Sequence, residues 1–179
     1  LGNKFLSHIR ETQAIAHVVR CFEDENVTHV SGQINPIDDI QTINTELALS
    51  DIERLDKAII KLTKDAKRGD KHAKQLETLY TLAKSQIEQE LPLQALELTA
   101  DEETLLKQAG LLSMKPTLFI ANVSEDGFNN NPLLTQVQEY AAQRQQSVVC
   151  VCASIEAEIV ELDPEDQLEF IQSLGLTEP

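Results

Sequence analysis

The 179-residue sequence contains no tryptophan, and aromatic residues make up only 4% of it. That scarcity argues against a platform of rings for stacking single-stranded nucleic acid. No apolar run approaches the ~20 residues that a membrane-crossing helix needs, so a membrane partner is not expected. The phosphate-cradling loop G-x-x-x-x-G-K-[ST] is missing; Gly2-Asn3-Lys4 is the nearest approach and lacks the loop itself. Positive charge is scarce as well. Lys and Arg total 15 against 30 Asp and Glu, a formal net charge of −15. A field of that sign repels phosphate backbones, which argues against DNA and against indiscriminate nucleic-acid binding by the molecule as a whole.

Cysteine is sparse too. Cys21, Cys150 and Cys152 lie in apolar, strand-like runs. An odd count, with no charged-then-apolar leader, leads us to expect reduced thiols in the cytoplasm. Cys150-Val-Cys152 is not a zinc spacing, and packed thiols are the simpler reading.

What is present is a globular composition, 41% apolar and 25% charged. Phe5, Leu6 and Ile9 make a helical stripe. The run 14–22, AIAHVVRCF, reads as a buried strand containing His17. Asn35-Pro36 opens a helix, with Asn as N-cap and Pro in the first turn, and Asp38 and Asp39 suit its positive end. Along that helix Ile52, Leu55, Ile59, Leu62 and Ala66 step by threes and fours in a heptad-like, coiled-coil seam. Gly69 supplies a left-handed stop and Asp70 a cap for a second helix, whose seam is Ala73, Leu76, Tyr80, Ala83 and Ile87. So short a turn requires an antiparallel hairpin. Thr99 to Glu102 forms a capping box. KPTLFIANV and SVVCVCA then read as strands, separated by a helix starting at Asn131-Pro132 and followed by helices capped near Asp163-Pro164 and stopped at Gly175.

Strands alternating with helices predict an α/β fold: a partial parallel sheet with an inserted antiparallel helical hairpin. The expected division is 1–35 and 113–179 for the sheet domain and 36–112 for the insertion. Three strands make only part of such a sheet, so further strands are expected before residue 1.

Ligands of open parallel sheets sit beyond the carboxyl ends of the strands. The corner LFIANVSED, 118–126, leaves its strand at Asn122, and the loop at 152–154 leaves the next strand on the same edge. An amide there can meet a purine edge, while Glu125, when ionised, can only accept hydrogen bonds. A plain Asn- and Asp-rich turn would account for the same residues.

NVSE resembles the base-reading NKxD element of GTPases, with Val123 for Lys and Glu125 for Asp. Together with GNKFLSHIRET, HVVRCFED, NPIDDIQTINTELALSDIERLDKAI, KPTLFIANVSEDGF and CASIEAEI, the chain resembles the YchF, or Obg-like ATPase, family over essentially its whole length. The resemblance implies a P-loop NTPase domain of the translation-factor class, using ATP or GTP with Mg²⁺, with ATP accepted over or alongside GTP. It implies base contacts from Asn122 and Val123, a loop closing over the base at Cys152, Ala153 and Ser154, and Glu125 as a specificity determinant. The phosphate and Mg²⁺ ligands, the DxxG element and the TGS domain of that family are not in these residues. The chain alone is therefore expected to be inactive. The family also places an apolar residue where small GTPases orient water with Gln, which makes His29 the candidate for positioning the attacking water.

Residues 57–74 invert the overall charge. Lys57, Lys61, Lys64, Lys67, Arg68, Lys71 and Lys74 face only Asp65 and Asp70. A solvated helical face is one reading. The other, which the resemblance favours, is a ribosome contact through ribosomal RNA by Lys64, Lys67, Arg68, Lys71 and Lys74. A non-catalytic protein-interaction module built on the hairpin is the rival to the nucleotide hydrolase.

Overall fold

The computed structural model describes residues 2–23 and 34–173. Among them are three strands, β1 (Ile15–Arg20), β2 (Thr117–Asn122) and β3 (Ser147–Val151). The helices are α1 (Asn3–Glu11), α2 (Pro36–Lys67), α3 (Lys71–Glu88), α4 (Ala100–Gln108), α5 (Pro132–Gln143), α6 (Ala153–Glu161) and α7 (Pro164–Ser173). The chain divides into two compact units, Leu1–Ile15 with Gln41–Pro116, and Ala16–Ile40 with Thr117–Pro179.

The second unit carries the sheet, in the order β1-β2-β3. Strands β2 and β3 pair in parallel, from Leu118 opposite Ser147 to Asn122 opposite Val151. Ile15 N–H donates to Pro116 O and Cys21 N–H to Asn122 O, so β1 also advances alongside β2 in the same direction. The core of this unit gathers Val19, Cys21, Phe119, Ala121, Val137 and Ile155, with Phe119 packed edge-on against Tyr140. Burial pushes the Cys21 thiol up to about 11, helped by Cys150, and burial raises Cys150 as well. All three cysteines are free, and Cys21 and Cys152 are buried. His17 sits against Phe119, and burial lowers its pKa against an opposing pull from Asp39. The opposite sheet face exposes Val18 and Val149.

The first unit is helical. Asp70 accepts from His72 N–H and Ala73 N–H at the start of α3, one residue after Gly69 turns the chain at φ +96°. Thr63 Oγ1 meets Glu77, and the Lys84 ammonium meets Asp56. Partners later on α2 are earlier on α3, so the two helices run antiparallel. The predicted α3 seam shifts slightly. Ala73, Leu79, Ala83 and Ile87 are buried, while Leu76 and Tyr80 are half-buried. Leu79 joins a cluster with Leu93, Leu106 and Leu111, because α4 and the 3₁₀ turn Leu93–Ala95 cover a second flank of α3. The Thr99–Glu102 capping box forms as its sequence predicts.

Candidate functional site

The parallel register sets β2 and β3 level at their carboxyl ends, Asn122 beside Val151. The two following loops must therefore rise together. Val123 N–H continues the ladder to Val151 O at 2.8 Å, and the Asn122 side-chain Oδ1 accepts from Ala153 N–H at 3.0 Å. Asn122 thus bridges the crest after β2 to the first turn of α6. A backbone N–H can only donate, so the contacting amide atom is the oxygen. The Nδ2 donor of Asn122 has no hydrogen-bond partner among the described residues.

Around this bridge lies a cleft of about 630 Å³, lined by Phe22, Glu23, Asn122, Val123, Ser124, Glu125, Asp126, Ala153 and Ser154. Phe22 and Glu23 come from the end of β1, which keeps the cleft on the carboxyl edge of the sheet. Arg20 lies over the Phe22 ring at 4.7 Å and donates from Nε to Phe22 O, fixing that stretch of backbone. Asn131 ties the neighbouring loops together: its amide donates to Cys21 O and Gly127 O, and its Oδ1 caps α5 through Leu133 and Leu134 N–H.

Of the residues the sequence proposes, Asn122, Val123, Glu125, Ala153 and Ser154 meet in this cleft. Val123 as a whole residue is 2% exposed, and its N–H is committed to Val151 O. Cys152 does not line it. Its side chain is buried beneath, with Sγ 3.1 Å from Ser154 Oγ. His29 lies outside the described residues. Phe22, Glu23, Ser124 and Asp126 are additions that the sequence reading did not select.

The corner itself is a closed turn. Gly127 N–H donates to Ser124 O at 2.8 Å, and Ser124 Oγ donates to Asp126 Oδ1 at 2.8 Å. A Cβ on Gly127 would fall 2.8 Å from Ser124 Oγ and 3.0 Å from Ser124 N, so a larger residue there would have to displace Ser124. Glu125 is exposed and has no polar partner among the described residues. The cleft therefore carries three carboxylates, from Glu23, Glu125 and Asp126, and no cationic side chain. Such a lining suits a neutral, donor-bearing ring better than a phosphate group. No cluster of three metal-ligating side chains occurs among the described residues.

Comparison with known proteins identifies the family. The chain is 53% identical over 179 residues to the ribosome-binding ATPase YchF of Escherichia coli O157:H7, covering 100% of this chain and 49% of the relative. It is 47% identical over 181 residues to the protein of the same name in Bacillus subtilis strain 168, covering 99% and 50%. The solved structure of the Schizosaccharomyces pombe YchF GTPase superposes with a TM-score of 0.86 at 26% identity, over 99% of this chain and 50% of that one. The chain belongs to the YchF family. It spans about half the length of the curated relatives it matches. No protein-family model matches it. Within the YchF fold the cleft above lies at the carboxyl ends of the strands, the position where open parallel sheets take ligands.

Proposed function

We propose that this chain is the base-reading half of a nucleoside-triphosphate hydrolase that works on the ribosome. The observation that carries the reading is the hydrogen bond from Ala153 N–H to Asn122 Oδ1. It joins the two loop crests at a cleft of about 630 Å³ that Asn122 and Phe22 both line. Both purines present an acceptor at N7, which the Asn122 Nδ2 donor can meet. Phe22 offers a ring for the base to stack on. The backbone of Val123 and the crest Ala153-Ser154 would close over the other edges. Glu125 stands where a GTPase has Asp. Its longer side chain is displaced from guanine's paired donors, which supports ATP being accepted over or alongside GTP.

Hydrolysis needs phosphate and Mg²⁺ ligands. The sequence has no loop of the phosphate-cradling kind, so on this reading the chain is inactive alone and acts as part of a longer protein. There the hairpin-bearing segment 36–112 is an insertion, and His29 is the candidate for positioning water. The relatives are named ribosome-binding ATPases, and a ribosomal partner implies a cytoplasmic protein. The lysine-rich hairpin tip supplies a surface for that partner.

The test is Asn122→Ala in the full-length protein. It removes both the bridge to Ala153 and the amide donor, a loss of about 1–3 kcal/mol, so ATP affinity should fall roughly fivefold to 150-fold. Titration with a fluorescent ATP analogue measures it. An affinity within twofold of the parent would remove the base-site assignment.

A further inference from the structure

Two neighbouring acids line the cleft, Glu125 and Asp126; both are exposed, and they differ in their hydrogen bonds. Glu125 is exposed and unpartnered among the described residues. Asp126 is held, because Ser124 Oγ donates to its Oδ1 at 2.8 Å inside a turn that Gly127 N–H closes onto Ser124 O. Gly127 packs closely on Ser124, since an added Cβ would come 2.8 Å from Oγ and 3.0 Å from the backbone nitrogen. Both Ser124 and Asp126 line the cleft next to Asn122.

Chemistry decides what that restraint does. An ionised carboxylate only accepts. Set against guanine it takes two donors, N1–H and the exocyclic N2 amine. Set against adenine it faces the N1 lone pair and is repelled. A site that presents a correctly placed acid therefore selects guanine strongly, because leaving such polar groups unmatched is costly. For adenine to enter, the acids of this loop have to be kept from that edge. Specificity then comes from a restraint as much as from a contact.

We propose that Ser124 is a positioning residue for base selection: its hydroxyl holds the Asp126 carboxylate in the turn and away from the pairing edge of the base, which keeps the site open to adenine. This rests on the nucleotide reading above. Asp126, rather than Glu125 alone, is then the acid that would demand guanine once released.

The experiment measures ATP and GTP dissociation constants side by side in the full-length protein. Ser124→Ala should shift the ratio of the two toward GTP by fivefold or more. S124T, which keeps the hydroxyl, should hold the parental ratio. The double variant S124A/D126A should return to it, because the released acid is gone. A merely structural role for Ser124 would weaken both nucleotides together and leave the ratio unmoved. If S124A does not fold, S124V against S124T reads the same hydroxyl at constant shape. A ratio within twofold of the parent in S124A or S124V, with both nucleotides still bound, overturns the proposal and leaves the base site standing. Failure of the unmodified protein to bind either nucleotide overturns the base site and this proposal together.

Discussion

Asp51 has no exposed surface, yet its carboxylate is fully served. Oδ1 accepts from Arg10 Nη1 at 3.0 Å and Leu112 N–H at 2.9 Å, and Oδ2 accepts from the backbone N–H and the hydroxyl of Ser113, both at 2.8 Å. Arg10 in turn donates to Gly110 O, Ser50 O and Ser50 Oγ. The cation is the only charge partner of a buried anion among the described residues. Arg10→Ala should therefore destabilise the helical unit by about 3–5 kcal/mol, since it leaves that charge uncompensated. Urea denaturation of the chain measures it, and a loss under 1 kcal/mol would show the backbone and hydroxyl donors to be sufficient. Neither residue stands out in the sequence, because the pairing spans 41 positions and no local pattern announces it. The cleft residues divide in the same way. Asn122, Glu125, Ala153 and Ser154 are legible because they sit at the end of a strand or in the loop that leaves it. Phe22 and Glu23 are not, because their place in the cleft depends on β1 lying beside β2. Cys152 belongs to the same crest but turns inward, a matter of strand alternation that its neighbours alone do not decide.

At the scale of elements, local chemistry made most of the fold readable. Gly69, Asp70, Thr99 and Asn131 each do at a helix end what their residue type favours. The hairpin seam is only partly readable on either helix: on α2 Leu55 is buried while Ile52, Ile59, Leu62 and Ala66 are half-buried, and on α3 Leu79 joins the buried stripe. A single 3-4 step describes one contact stripe, whereas α3 is covered on two flanks. The partner of α1 was not readable at all. Its stripe shows that the helix is amphipathic and not what it meets, which proves to be Leu47 and Leu112 of the helical unit. At the hairpin tip the charge is uncompensated. Arg68 contacts Asp65 and the Asp70 carboxylate is engaged as an N-cap, while Lys61, Lys64, Lys67, Lys71 and Lys74 are exposed without an ion pair among the described residues. Such a tip suits the phosphates of ribosomal RNA, and its binding should weaken as salt rises. Reversing Lys67, Arg68 and Lys71 to Glu should abolish co-sedimentation of the full-length protein with ribosomes at moderate salt. Retained co-sedimentation would remove the tip as the contact.

At the scale of the whole molecule, charge is separated rather than balanced. Residues 57–74 carry seven cations and two acids within a chain of net charge −15, so the acidity belongs to everything else. The acidic cleft and the basic tip also lie in different compact units. That separation gives the two proposed ligands distinct surfaces: a neutral base for the carboxylate-lined cleft and a phosphate backbone for the lysine-rich tip. The account as a whole turns on the cleft. Amide hydrogen exchange of the full-length protein, with and without ATP, tests it most directly. The account predicts slowed exchange in both loop crests, at 122–126 and 153–155, on saturation with ATP. Saturating ATP that leaves exchange in both crests unchanged would contradict it.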